Sequence, residues 1–141
     1  MVTIDASVFV SAGSSRDPAS DESIAFLRAV LGASLAVHQP TLTLVEVTAS
    51  MARRSGDIGL AREAGLRLLQ MPRLQMHPLD VEAAAEASGL AGRARLRGPD
   101  AIYAATALRH GATLVTLDHE LLSRVGTIVP TVTPAGWIER S

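Results

Sequence analysis

The sequence predicts an α/β fold: a three-layer sandwich in which a mostly parallel central sheet of about four to five strands is flanked by helices. Three observations carry this. Short, apolar, β-branched runs alternate with longer helical stretches, the pattern of strand-helix-strand units and of a parallel sheet. The chain has 141 residues, of which 48% are hydrophobic, enough for one domain with its own core. No repeat, low-complexity tract or linker divides it, so residues 1–141 read as a single domain.

The elements follow in order. Val2-Thr3-Ile4 is a β-branched run and reads as a buried strand. Residues 13–20, GSSRDPAS, form a loop by composition. Asp21–Leu31 is helical, with Ile24, Leu27, Arg28 and Leu31 at helical spacing and Gly32 as its stop. Leu35–His38, closed by Pro40, reads as a strand. Leu42–Arg54 is helical through Val45, Ala49 and Ala52, and Ser55-Gly56-Asp57 breaks it. Ile58–Gln70 is helical through Leu60, Ala64 and Leu68. Pro72 and Pro78 bracket a strand at Leu74–His77, and Val81–Ala91 is an Ala-rich helix. Gly92–Gly98 reads as a basic loop. Pro99 suits the first position of a helix ending near His110, with Gly111 as its stop. A strand at Thr113–Thr116, a helix from Asp118 to Arg124, a last strand at Ile128–Val129 and a helical turn over Pro134–Ile138 complete the chain.

Composition removes whole classes of function. The charge is balanced, 13 basic against 14 acidic residues, so tight binding to nucleic acid by bulk charge is not expected. Every basic residue is Arg. Without Lys there is no Schiff base, Walker lysine or Ser–Lys dyad. The absence of Cys removes disulfides, thiolate zinc sites and cysteine nucleophiles. Phe9, Phe26, Tyr103 and Trp137 are too few to build a stacking platform for single-stranded nucleic acid. MVTIDASVFV carries Asp5 and no early basic residue, unlike a signal peptide. The longest uncharged run, Ala29–Val45, is too short to span a bilayer and holds His38, Gln39 and Pro40. The expectation is a cytoplasmic protein without membrane association.

Ligands of open α/β sheets bind at the carboxyl ends of the strands. Asp5 directly follows the first strand, and Asp118 follows the Thr113–Thr116 strand. Glu46 sits near the start of the helix after Leu35–His38, hence on the same edge. Asp100 opens a helix whose start topology alone does not place. Carboxylates on one edge repel one another unless spread in solvent or held by a hard cation. Mg²⁺ and Mn²⁺ prefer oxygen ligands, and no Cys or His cluster in the sequence competes for a softer metal. Such a site polarises a phosphoryl oxygen and acidifies water, which suits phosphodiester cleavage. Each acid also has an ordinary alternative: Thr43-Leu-Val-Glu46 fits a capping box, Asp100 complements a helix dipole, and Asp118 is a good N-cap. Asp5 is the hardest to explain this way, since a carboxylate ending an apolar strand is costly without a partner.

The segments TIDASVFV, PTLTLVEV and RGPDAIYAATALRHGATLVTLD, with their spacing, resemble the PIN-domain family and, more closely, its VapC-type toxins of bacterial toxin–antitoxin pairs. The resemblance runs from Asp5 to the terminal TPAGWIER. It is most specific between Pro99 and Asp118, where an acid opens an Ala-rich helix and a strand ends Thr-x-Asp. It implies that Asp5, Glu46, Asp100 and Asp118 are the catalytic and metal-holding acids, supported by the hydroxyls of Ser7 and Thr116. It further implies Mg²⁺-dependent or Mn²⁺-dependent endonucleolytic cleavage of RNA, a homodimer, and a small antitoxin that occludes the acidic site.

Arg93, Arg95 and Arg97 alternate just before Asp100 and read either as a solvated loop or, since they adjoin the acids, as residues that position RNA phosphates. His38, His77 and His110 lack metal-ligand spacing and receive no role. His119 reads as solvated, and Tyr103 as packing. A haloacid-dehalogenase-type phosphatase requires an Asp where Ser7 stands, and also a Lys. A receiver domain needs that same Lys and a further acidic pair, and a dinucleotide module needs Gly-x-Gly-x-x-Gly after the strand. Two alternatives stay open: a housekeeping PIN nuclease, and a non-catalytic PIN-like module that binds RNA or protein.

Overall fold

The computed structural model describes residues 1–141. In chain order the elements are β1 (Val2–Ile4), α1 (Ala6–Ala12), α2 (Ser20–Gly32), β2 (Val37–Pro40), α3 (Leu42–Ser55), α4 (Ile58–Leu69), β3 (Leu74–His77), α5 (Val81–Ala94), α6 (Gly98–His110), β4 (Thr113–Val115), α7 (His119–Val125), β5 (Thr131–Val132) and α8 (Pro134–Arg140). Five strands form one sheet in the order β3-β2-β1-β4-β5, every pair parallel. The expected three-layer α/β architecture is present. No helix is long and apolar enough to cross a membrane.

Alternating strand residues feed two cores. Val2, Ile4, Val37, Val115 and Val132 pack with Phe26 and Val30 of α2, while Leu114 packs with the Ala-rich face of α6 and with Leu90 of α5. The first of these cores is closed by Phe26 and Trp137, which meet edge to face with centroids 5.3 Å apart and tie α2 to α8. Gly111 ends α6 with φ +60°, a left-handed conformation in which a side chain would be strained, as its expected role as stop requires.

Several boundaries differ from the sequence reading. Ala6–Ala12 is a helix that was not expected, because Val8, Phe9 and Val10 are weak helix formers. Burial of Val8 and Val10 overrides that propensity. The second strand is Val37–Pro40 instead of Leu35–His38. The last is Thr131–Val132, with Ile128 and Val129 forming the approach to it. The expected basic loop is largely helix: α5 continues through Ala94, and Arg95 caps it at φ +53°.

β1 and β2 share a single register pair, Val2 with Val37, and then separate. Gln39 replaces the missing rung. Its side chain accepts from the Ile4 N–H at 2.8 Å and donates to the Ile4 carbonyl at 2.7 Å, fully buried. This fixes the end of β1, and therefore the residue that follows it.

Candidate active site

The strand order reverses direction at β1 and β4, and the crevice at the carboxyl end of such a switch point is where open α/β sheets bind ligands. Asp5 leaves β1 into α1 there, and Asp118 leaves β4 into α7. Asp100, in the first turn of α6, and Glu46, one turn into α3, complete the group.

Asp5 is nearly buried and is held through one oxygen. Its Oδ2 accepts from the Ser7 hydroxyl at 2.6 Å and from the Thr116 hydroxyl at 2.7 Å. Oδ1 is left without a protein partner. Thr116 also accepts from the Asp118 N–H at 3.0 Å, so one hydroxyl links the turns that follow β1 and β4. Ser7 accepts from the Leu117 N–H at 3.3 Å.

Glu46 does not form the capping box. Thr41, in helical conformation, precedes α3 without a side-chain cap, and Glu46 turns inward instead. Its Oε1 is buried without a hydrogen bond, as are the Thr43 and Tyr103 hydroxyls. Burial raises the Glu46 pKa above the usual carboxylate value, and the charges of Asp5 and Asp100 raise it further; Tyr103 offsets part of this without making a well-formed hydrogen bond. Burial likewise pushes the Tyr103 hydroxyl up.

Asp100 and Asp118 share a guanidinium. Arg97 donates from Nε to Asp100 Oδ2 at 3.0 Å and from an Nη to Asp118 Oδ2 at 2.6 Å. Burial raises the Asp100 pKa; Arg97 opposes that shift, and the Asp118 and Asp5 charges add to it. Asp118 fills its expected N-cap role as well, its Oδ1 accepting from the Glu120 and Leu121 N–H groups. Arg124 donates to the Arg95 carbonyl and braces the segment that carries Arg97.

The fold thus brings Asp5, Glu46, Asp100, Asp118, Ser7 and Thr116 together. It does not treat the three arginines alike. Arg97 reaches the acids, whereas Arg93 borders a groove with Leu90, Leu108 and Arg109 and makes no bond to the acids. Sequence reading missed Gln39, whose role depends on where two strands part, and it missed the gathering of His38, His77 and His110. The expectation that no histidine cluster exists is therefore corrected: the three come from distant segments, and no local spacing announces them. The nearest signal was that His38 and His77 lie in strands that run into Pro40 and Pro78.

A parallel α/β sheet with acids converging on its switch point defines a class of acid-lined domain, and the family match agrees. The chain belongs to the PIN domain family, which it matches over residues 2–127. PIN domains are generally nucleases. No curated protein matches the chain. Among solved structures, the fold is similar to that of a chain in a toxin–antitoxin complex from Klebsiella pneumoniae, with 21% identity and a TM-score of 0.67 over 95% of this chain and 98% of that one. It is also similar to a chain of FitAcB from Neisseria gonorrhoeae, with 20% identity and a TM-score of 0.72 over 95% and 98%. A third is VapBC2 from Rickettsia felis, bound to a DNA fragment from its promoter, with 16% identity and a TM-score of 0.71 over 94% and 98%.

Proposed function

We propose that the chain is a Mg²⁺-dependent endoribonuclease and the toxin of a toxin–antitoxin pair, with Asp5, Glu46, Asp100 and Asp118 as its catalytic acids. The observation that carries this reading is the state of Asp5 and Glu46. One Asp5 oxygen is gripped by two hydroxyls while the other stays free, and the neighbouring Glu46 Oε1 is buried with no partner. Buried polar atoms are normally satisfied, so an unpaired carboxylate oxygen next to a free one is the arrangement a bound cation would complete. The donors are all oxygens, which fits Mg²⁺ or Mn²⁺. Asp5 and Glu46 would hold the cation, joined by Asp100 and Asp118 once Arg97 turns aside.

A divalent cation supplies Lewis acidity to a phosphoryl oxygen and acidifies water. The protein's own contribution is orientation. Ser7 and Thr116 fix the rotamer of Asp5, Gln39 fixes the strand end that carries it, and Arg97 is free to exchange a carboxylate for a phosphate as RNA enters. RNA in preference to DNA rests on the family resemblance, as does pairing of two copies. Two features support a protein antitoxin. The acids already accept one guanidinium, so an Arg from a partner suits them. An apolar groove of about 440 Å³ between α1, α2, α3 and α4, lined by Phe9, Leu31, Met51 and Leu60, offers a place for an accompanying segment.

The direct test is cleavage of a labelled RNA by the purified chain with Mg²⁺, with EDTA, and with Mg²⁺ restored. Activity in EDTA equal to that in Mg²⁺ removes the reading.

Two variants probe the supporting residues. Thr116→Val keeps the shape and removes the hydroxyl, leaving Asp5 one bond short and the Asp118 N–H unpaired. Mg²⁺ affinity is expected to fall about tenfold and stability by roughly 1–3 kcal/mol, read by Mg²⁺ titration and by denaturant unfolding. Unchanged affinity assigns Thr116 to the strand alone. Arg97→Gln removes the competing guanidinium, so the Mg²⁺ concentration that half-saturates the melting shift is expected to fall. An unchanged half-saturation point means that Arg97 does not compete for the acids.

A further inference from the structure

The acids are not the only cluster with ligand chemistry. His38 on β2, His77 at the end of β3 and His110 at the end of α6 meet on the face of the sheet that α6 covers. Register explains two of them: Pro40 pairs with His77, so His77 shares a face with Pro40 and, by alternation, with His38. α6 delivers the third, ten residues and about 15 Å along its axis from Asp100. The rings stack nearly parallel, His77 on His110 at 4.0 Å and His38 on His110 at 4.4 Å between centroids. His38 Nδ1 and His77 Nε2 are 3.0 Å apart, and one nitrogen from each of the three rings falls within 4.8 Å of the others.

We propose that His38, His77 and His110 form a second metal site, separate from the carboxylates, that binds Zn²⁺. Two imidazole nitrogens at this separation share either a proton or a metal. Ligand atoms of a tetrahedral Zn²⁺ at 2.0–2.1 Å stand about 3.3 Å apart, close to the His38–His77 spacing. The His38 and His77 rings face each other edge to edge and His110 lies over both, so Zn²⁺ binding requires His110 to rotate off its stack and the other two rings to tilt their in-plane lone pairs towards a common point. Burial holds all three imidazoles below their usual pKa, with neighbouring positive charge as a further cause and Glu86 opposing it at His110, which favours the neutral, lone-pair-bearing form.

The fourth position has a place to open. His77 and His110 line a cavity of about 190 Å³ that also holds Asp80 and Glu86, so water or a carboxylate can complete the shell. Imidazole nitrogens select Zn²⁺, Ni²⁺ or Cu²⁺ over Mg²⁺, the reverse of the all-oxygen acidic site, so the two sites divide metals by ligand softness. Bound Zn²⁺ would tie β2 and the edge strand β3 to the end of α6, which makes the site a structural staple.

The test is calorimetric titration of the full chain with Zn²⁺ in excess Mg²⁺, which keeps the acids filled, with Co²⁺ absorption as the reporter of nitrogen ligation. The expected result is one Zn²⁺ per chain, a raised melting temperature, and intense visible Co²⁺ bands. His110→Gln and His77→Gln, both at partly exposed positions, should each weaken Zn²⁺ by at least about tenfold, since even outer-shell losses reach that size. Asp5→Asn should leave it unchanged. Absence of Zn²⁺ binding in excess Mg²⁺ overturns the proposal and leaves a stacked packing cluster. So does binding that survives both histidine substitutions, or that is lost in Asp5→Asn.

Discussion

Asp5→Asn is expected to cut RNA cleavage by roughly 10²–10³-fold, the scale for removing one preorganised electrostatic partner. The substitution is nearly isosteric. The amide oxygen can still accept from Ser7 and Thr116, so the turn after β1 keeps its shape. The negative charge is lost from a carboxylate that offers a free oxygen beside the unpaired Glu46 Oε1. Stability should hold or rise, because Asp5 is among the charges that push the Glu46 and Asp100 carboxyls up. The combination is diagnostic: activity falls while the melting temperature does not. In cells, the wild-type chain expressed alone should arrest growth, and Asp5→Asn should not. Normal growth with proven RNase activity would favour a housekeeping nuclease. Full cleavage by purified Asp5→Asn removes the catalytic assignment altogether.

The acidic edge was readable because a strand followed directly by Asp declares its own geometry. In a parallel sheet every strand ends on the same side, so Asp5 and Asp118 had to share an edge once their strands were found. Asp100 could be placed only when α5 and α6 were seen to form an antiparallel return. Its partner Arg97 lies three residues earlier, at a spacing that equally suits a solvated loop. The expected arginine trio separates because α5 runs further than its glycines imply, turning Arg93 towards the groove beside Leu108. α1 was hidden by β-branched residues whose helical state depends on burial from both sides. The histidine cluster needed a register between β2 and β3 that periodicity does not supply. Features fixed by local chain direction were legible; those fixed by pairing between distant segments were not.

Gln39→Leu is expected to be the most destabilising single substitution near the site, at about 2–6 kcal/mol. The figure follows from two buried backbone groups, the Ile4 N–H and C=O, each losing its only partner at roughly 1–3 kcal/mol. Leucine fits the volume and adds apolar burial, so hydrophobic bookkeeping alone predicts no loss. The two views give opposite signs, and denaturant unfolding decides between them. Gln39→Glu sharpens the comparison. Its carboxylate can still accept from the Ile4 N–H but places an acceptor against the Ile4 carbonyl, so it too should destabilise. The consequence reaches the acids because Ile4 immediately precedes Asp5: a loosened strand end lets the Asp5 carboxylate drift from Ser7 and Thr116. In conditions where Gln39→Leu remains folded, Mg²⁺ affinity should therefore fall along with stability. A variant as stable as wild type would show that the Gln39 bridge is not what holds the strand end or the site.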